Sequence, residues 1–598
     1  MPIIAGRVPS VPSVLPINMQ GGSADRFRLG IKSLVFKGRH HAALPSPGVT
    51  AIVGANNVGK STTLREIVNH LSGEAHRAYP QSLLIDDIEL DRNGSTMDLL
   101  AWLGERYSFV SETNQNPGFA GLGAQLLDVA YIQHVWERAD LSKIGRLGRL
   151  LSSYLPPVER AGILGQAQRR ANLSEPSSHL LHRFEDDADL MKRASDLTYR
   201  HFRRELTLDW LSGNICLRVG KPSLDAPPVD SVTAEYRKAI AQLPLLSEQG
   251  DGIKSFLGIL MPLLSAVQPI VIVDEPEAFL HPPQAVSVGR EIGSLSVKNG
   301  LQVILATHDR NILIGLLESG VDLSVIRLDR EGDLTTAHQI DAQELRNIWS
   351  DTVLRYSNLL DGLFHRVVVL AEGDRDCRFY AATLEEWSKQ NYLPFSPSEV
   401  LFVPSAGKDG MPKMASVLRA AQVKVICSPD LDILDDENKL RILVSSLDGA
   451  ESWDSLSKDY RLATEDFRKP RQQVRCGYAL NAVSSVIKGR EDELYTGEIK
   501  KEILANLRAE ESPWKKVKRY GERSFVGQAR VAFERLMPQL ESLGIAAVRM
   551  GELECFAEDT GVSKGEQWLP AAFSAGAHKR AEAQKHVASI LRAAGISS

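Results

Sequence analysis

The segment Gly54-Ala-Asn-Asn-Val-Gly-Lys-Ser61 has the residue types and spacing of a phosphate-binding loop. Gly54 and Gly59 let the backbone turn its N–H groups inward around phosphate oxygens, where a side chain would block the approach. Asn56, Asn57 and Val58 complete the turn, Lys60 brings a point charge to the terminal phosphates, and Ser61 offers a hydroxyl to Mg2+. A helix beginning near Thr62 adds the positive end of its dipole. Further along, Val271-Ile-Val-Asp-Glu-Pro-Glu277 is an apolar strand ending in carboxylates. There Asp274 can hold Mg2+ through water, and Glu275 can polarise an attacking water as general base. Together these residues suit a nucleoside triphosphate, ATP, and its hydrolysis.

A second acidic set lies in the C-terminal half. The strand Val367-Val-Val-Leu-Ala371 ends at Glu372-Gly-Asp-Arg-Asp376, and Val425-Ile-Cys-Ser-Pro-Asp-Leu-Asp432 ends in another acidic pair. The small-residue loop Ser405-Ala-Gly-Lys-Asp-Gly410 lies between them. In a parallel sheet neighbouring strand ends lie side by side, so Glu372, Asp430 and Asp432 are expected to converge at one edge. Carboxylates packed together repel unless a cation neutralises them, and hard oxygen ligands in that number suit Mg2+ or Mn2+.

These residues need elements to hold them. Strands are expected over Phe27–Phe36 and Gly48–Val53, over Pro269–Val273 and Leu301–Ala306, and in the second half over Arg366–Ala371, Val400–Val403, Val423–Ile426 and Ile545–Arg549. Short apolar strands alternating with helices predict parallel sheets in two α/β units. Trp136 to Phe202, rich in Arg, Leu and Ala, reads as helical, and long helical segments are expected over Asp435–Arg471 and Glu491–Leu540. The expected organisation is a loose extension over 1–25, a first domain over 26–360 with a helical arm or dimerisation insertion at about 136–203, and a second domain over 361–598.

At 598 residues, with 43% hydrophobic and 24% charged residues, the chain has the mix of a soluble multidomain protein. Its net charge of −5 neither favours nor excludes nucleic acid, since only a local basic strip matters. The five cysteines include no Cys-x-x-Cys pair, which points to a reducing cytoplasm and away from zinc. No apolar run reaches membrane-spanning length.

Leu246-Ser-Glu-Gln-Gly-Asp-Gly252, one helix upstream of Asp274, resembles a degenerate ABC signature, and Ala306-Thr-His-Asp309 stands where ABC ATPases carry a switch histidine. The resemblance implies that Ser247 and Gly250 contact the γ-phosphate held by a second subunit, that His308 senses that phosphate, and that the chain dimerises. Asp274-Glu-Pro-Glu-Ala-Phe-Leu-His-Pro282 looks like the SMC/RecF branch, although Phe279 stands where relatives often carry His. The second acidic set resembles the Toprim fold of topoisomerases, primases and nucleases. An ABC ATPase followed by Toprim is similar to the overcoming-lysogenisation-defect (OLD) nucleases, whose relatives include the A subunit of the Gabija antiphage system.

The OLD resemblance spans about Phe27 to the C-terminus. It implies an α/β fold of ABC/SMC-type ATPase plus Toprim domain, each with helical insertions, and an ATP-regulated, two-metal DNA endonuclease of prokaryotic antiphage defence. Glu372 and Asp376 would bind one metal with Asp430 and Asp432. Glu552 and Glu554, in Val548-Arg-Met-Gly-Glu-Leu-Glu-Cys-Phe556, would serve the second, although relatives often have Asp at the first of these positions. A C-terminal lysine assists in the family; Lys579 and Lys585 are the candidates, with Lys579 favoured. Related systems also pair this subunit with a helicase, or with a retron reverse transcriptase and its RNA.

For DNA contact, Trp514-Lys-Lys-Val-Lys-Arg-Tyr520 supplies Lys515, Lys516, Lys518 and Arg519 between two aromatics that could stack on bases. Arg146, Arg149, Arg169 and Arg170 could mark a second contact or the dimer arm. The rival reading is an SMC/RecF-like ATP-driven DNA clamp or sensor with an inactive Toprim domain. A transporter ATPase is disfavoured, because it needs no second acidic domain.

Overall fold

The computed structural model describes residues 22–596 apart from 39, 73–81, 112–115, 123, 139–142, 171–176, 332–333, 341, 351–358, 449–451, 469–475, 508–512 and 563. The expected N-terminal extension thus lies outside the described residues up to 21. The chain divides into two compact units, Met1–Ser350 and Asp351–Ser598.

The first unit is built on β1 (Gly48–Val53), helix α1 (Lys60–Ser72), β2 (Ser152–Leu155), helix α2 (Asp251–Ser265), β3 (Ile270–Asp274), β4 (Gln302–Ala306), β5 (Leu323–Glu331) and β6 (Leu334–Ile340). The sheet order is β6-β5-β1-β4-β3-β2, parallel throughout except for β6. Every residue of β1, β3 and β4 is buried, which is why these strands read as continuous apolar runs. Each fully buried Val or Ile contributes roughly 1.5–3 kcal/mol. Parallel pairing of β1, β4 and β3 brings the glycine loop, His308 and Asp274 to one edge of the sheet.

The helical expectation for 136–203 fails in an informative place. Ser152–Leu155 is not helix but β2, paired with β3 through the register Ile270 to Ser152. The helices nearby are short, Gly148–Leu151 and Arg160–Ile163, and the longer ones, Leu180–Asp186 and Ala188–Phe202, come only later. A free backbone edge on β3 is satisfied by this strand, and that tertiary demand outweighs local propensity. Ser152–Leu155 is therefore part of the unit's main sheet, while Leu180–Asp186 and Ala188–Phe202 keep the expected helical character.

The second unit contains β7 (Val367–Ala371), helix α3 (Asp374–Ser388), β8 (Val400–Pro404), β9 (Lys424–Ser428), helix α4 (Pro513–Tyr520) and helix α5 (Ala581–Ala593). The sheet order is β8-β7-β9, all parallel, with Ala371 paired to Pro404 on one side and Ser428 on the other. The expected strand over Ile545–Arg549 shrinks to two isolated parallel bridges, Cys427 to Ile545 and Asp430 to Val548. Gly544 and Gly551, both at positive φ, turn the chain on either side and leave too short a run for a full ladder.

The long helical segments are likewise divided. Within 435–471 lie Glu437–Asp448 and Ser452–Thr464; within 491–540 lie Gly497–Leu507, Pro513–Tyr520 and most of Gly527–Ser542. Pro513 starts a new helix, and Gly521 and Gly527 at positive φ separate the next two. Residues 449–451, 469–475 and 508–512 of these segments lie outside the described set.

Candidate functional site

In the first unit the glycine loop joins β1 to α1. Gly54 has φ +144, and a Cβ there would sit 2.3 Å from the Leu328 carbonyl oxygen; at Gly59, φ +104, a Cβ would meet Leu84 at 2.7 Å. Both positions therefore require glycine. The buried Lys60 donates from Nζ to the carbonyl oxygens of Gly54 (2.9 Å) and Ala55 (2.8 Å). Burial lowers its pKa, opposed by Glu277, Glu275 and Asp274.

Ser61 Oγ donates to Asp274 Oδ1 at 3.0 Å, and the Tyr154 hydroxyl, from β2, donates to Asp274 Oδ2 at 3.3 Å. A hydroxyl and a carboxylate at this spacing, beside the inward-turned loop, fit the magnesium of a bound nucleotide. Glu275 sits at φ +45, its N–H donating to the Ala306 carbonyl oxygen at 2.9 Å. Arg160, fully buried, donates to the carbonyl oxygens of both Asp274 and Glu275, the latter at 2.9 Å, and to Ser255 Oγ at 3.1 Å on α2. Burial pushes its pKa down to about 10. His308 donates its backbone N–H to Glu277 Oε1 at 2.8 Å, and its ring Nδ1 lies 2.9 Å from the same oxygen and 4.0 Å from Glu275. The Glu277 hydrogen bond raises the imidazole pKa. Ser247 and Gly250 are exposed at the start of α2, where Gly250 is the residue before the helix.

In the second unit, ligand oxygens of Glu372, Asp430 and Asp432 all lie within 4.8 Å of one another. Glu372 Oε1 accepts the Asp430 backbone N–H at 3.1 Å, and Asp430 Oδ1 is buried without a hydrogen-bond partner. Burial, then the neighbouring Glu372, Asp376 and Asp432, pushes Asp430 up to about 8; burial likewise raises Asp376 to about 6 and raises Glu372. Asp432 differs. Burial raises its pKa, but Lys518 (2.8 Å) and Lys408 (3.2 Å) outweigh that and hold it low. An orphaned buried carboxylate oxygen among three acids is the donor set of a hard divalent cation.

The family model described as "AAA domain, putative AbiEii toxin, Type IV TA system" matches residues 118–314, a span that holds Asp274, Glu275 and His308 and begins after the glycine loop. That match lies wholly within the first unit, whose glycine loop, Ser61 and Asp274 form a P-loop-type phosphate site. Solved structures similar to the chain include an SMC head bound to the C-terminal winged helix of ScpA (14% identity, 52% of this chain and 99% of that one, TM-score 0.31). Others are the SMC head domain from Thermotoga maritima (14%, 53% and 100%, 0.26) and cbiO1 from Clostridium perfringens, part of the ABC transporter complex cbiONQ (15%, 56% and 95%, 0.28). No curated protein matches the sequence. Among the described residues no helix is long and apolar enough to cross a membrane.

Three functional neighbours of the ATPase site escaped sequence reasoning. Glu277 was visible in the acidic run but carried no assigned role; it is the buried partner of His308. Tyr154 and Arg160 come from the segment expected to be helical, more than 100 residues from Asp274, and no local pattern announces them. Of the arm arginines, Arg170 pairs with Glu185 and Asp186, and Arg146 lies over the Tyr131 ring.

In the second unit Glu552 and Glu554 are held by Lys564, at 2.6 and 3.8 Å, and Glu554 also by Arg375 at 3.7 Å. Asp376 Oδ2 accepts the Gly373 N–H at 3.1 Å. Lys579 lies by the C-terminal part of α3. It acts on Glu386 in the last turn of α3, whereas Asp376 is in the first turn, about 15 Å away along the helix. The lysines at the acids are Lys408, Lys518 and Lys564 instead. Lys518 therefore faces the acids, while Lys515, Lys516 and Arg519 are exposed. Trp514 cannot stack on a base: it is buried against Phe467, ring centroids 5.1 Å apart, because Trp514 and Val517 form the apolar face of α4.

Behind the acids, His586 is buried, its Nε2 3.0 Å from Ser428 Oγ, and burial pushes its pKa down to about 3. The folded state keeps the ring neutral while the unfolded chain protonates near 6.5, so this group removes stability as pH falls below about 6.5. The loss should be roughly 2 kcal/mol between pH 6.5 and 5. Asp376 and Asp430, with raised pKa values, act in the opposite sense. The difference between wild type and His586→Leu in unfolding free energy across pH 7 to 5 isolates the histidine. Wild-type stability should fall relative to that of the variant as pH drops, and parallel curves would contradict the assignment.

Proposed function

We propose that the chain is an ATP-hydrolysing, divalent-metal-dependent DNA endonuclease of the OLD type, with a Toprim cleavage site in its second unit. One observation carries this reading: three carboxylates from the ends of adjacent parallel strands, oxygens within 4.8 Å, with one oxygen buried and unpartnered. Glu372, Asp430 and Asp432 would hold Mg2+ or Mn2+, with Asp376, Glu552 and Glu554 beside them. The bound ions would supply an activated water and charge neutralisation at the leaving oxygen. Lys408 and Lys518 fix Asp432 in its ionised form, and Lys564 gathers Glu552 and Glu554. In the first unit, Lys60 and the loop N–H groups would hold the ATP phosphates, Ser61 and Asp274 its magnesium. Glu275 would take a proton from the attacking water. Pairing of ATPase units from two chains would place Ser247 and Gly250 on the partner's nucleotide and so couple ATP to DNA access. The setting inferred is prokaryotic antiphage defence, alone or with a helicase or retron partner.

Purified protein with supercoiled plasmid and Mg2+ or Mn2+ should give nicked or linear product, and Glu372→Ala should abolish it while ATP binding persists. Undiminished cleavage by that variant would refute the assignment. No cleavage by the wild type under any nucleotide condition would leave the ATP-driven clamp.

A further inference from the structure

A recess of about 490 Å3 lies in the second unit, within the size range of ligand sites, its lining formed by residues other than Glu372, Asp430 and Asp432. Its lining includes Arg519, Tyr520, Arg523, Phe556 and Lys585. Two covalent links tie it to the cluster. Arg519 follows Lys518, which holds Asp432, and Cys555, also in the lining, follows Glu554. Cys555 Sγ donates to the carbonyl oxygens of Lys518 (3.2 Å) and Arg519 (3.6 Å), which ties the recess lining to the segment whose Lys518 holds Asp432.

The charges around the recess are not all spent. Arg549 and Arg592, also in the lining, are paired with Glu522, Glu534 and Glu541. Among the described residues Arg519, Arg523 and Lys585 have no carboxylate partner, and all three are exposed. Glu558 and Glu582 stand at the same rim and can accept from base amino groups. Tyr520 is 54% exposed, with the Arg519 guanidinium 5.6 Å from its ring centroid, and an aromatic ring of this kind is a stacking platform for a base. A second recess of about 420 Å3 shares Tyr520 and Arg523 and adds Lys516. Two nucleotide-sized hollows joined at one aromatic and one guanidinium suit a polymer better than a single small anion.

We propose that this double recess is the track of a single nucleic-acid strand, holding the nucleotides next to the phosphate that lies at the carboxylate cluster. The backbone phosphates meet Arg519, Arg523 and Lys585, and a base stacks on Tyr520. This rests on the nuclease reading for the position of the reacting phosphate, but strand binding itself does not depend on cleavage.

The test is fluorescence polarisation of a labelled single-stranded DNA oligonucleotide with the full chain in EDTA, so that no cutting occurs. Arg523→Glu/Lys585→Glu should weaken binding at least about tenfold and flatten its salt dependence, since each lost phosphate contact removes about 0.7 from the slope. Tyr520→Ala should weaken binding severalfold with the salt slope unchanged. The altered side chains are exposed, and unchanged thermal unfolding checks the fold. Binding by both variants within twofold of wild type would overturn the proposal, whatever Glu372→Ala does to plasmid. Displacement of the strand by millimolar AMP would assign the recess to a free nucleotide and overturn it too. Loss of binding in the variants, with a wild type that never cuts, would sustain the track and sink the nuclease reading instead.

Discussion

Glu275→Gln should slow ATP hydrolysis by about 10²–10⁴-fold while leaving ATP binding intact, the range expected for loss of a general base. The backbone at this position is fixed from both sides. The Glu275 N–H donates to Ala306, and Arg160 takes the carbonyl oxygens of Asp274 and Glu275. Its φ of +45 is a conformation that a non-glycine residue adopts at a cost of about 1–3 kcal/mol, and here the surroundings impose it. Glutamine preserves this geometry and removes only the ability to accept a proton. Phosphate release measured beside fluorescent-nucleotide binding separates the two effects. Hydrolysis at the wild-type rate would move the base elsewhere, with Glu277 next in line because it already holds His308. Lys60→Ala, by contrast, removes a phosphate contact and should lower binding itself.

Asp430→Asn should remove both plasmid cleavage and the stabilisation that Mn2+ confers on the second unit. The folded pKa of Asp430, about 8, lies above its unfolded value. The folded state therefore holds the proton more tightly, and the stability this group contributes is present at low pH and lost as pH rises toward 8. In EDTA, the stability of wild type relative to the asparagine variant should fall from pH 5 to pH 8, since the opposing His586 titration is common to both. A bound divalent cation reverses the repulsion. At a hundredfold excess over its Kd it should stabilise wild type by about 2.7 kcal/mol and the variant not at all. Thermal unfolding with and without Mn2+ at the two pH values reads both effects. Equal Mn2+ shifts in the two proteins would remove Asp430 from the ligand set.

Much of the ATPase site was legible because its chemistry is local. Gly54, Gly59, Lys60 and Ser61 lie within eight residues, and the strand before Asp274 is buried on both faces and so reads as an unbroken apolar run. What stayed hidden depends on distant partners. Ser152-Ser-Tyr-Leu155 has no strong strand pattern and becomes β2 only because β3 offers it an edge, and Tyr154 and Arg160 acquire roles from that placement. The acids after β7 and β9 were readable from strand order. Which lysine accompanies them was not, since a lysine's reach is set by the path of α3, α4 and the Ser405–Gly410 loop. Trp514 could have been read better. It stands three residues before Val517 amid lysines and arginines, the spacing of one apolar helix face, which buries the ring.

Calorimetric titration of Mn2+ into nucleotide-free protein puts the carboxylate cluster to the most direct test. Wild type and Lys60→Ala should bind the ion alike, and Glu372→Ala and Asp430→Asn should each remove saturable binding. Undiminished binding in both acid variants would show that these strand ends do not hold the ion, and the cleavage chemistry would lose its centre.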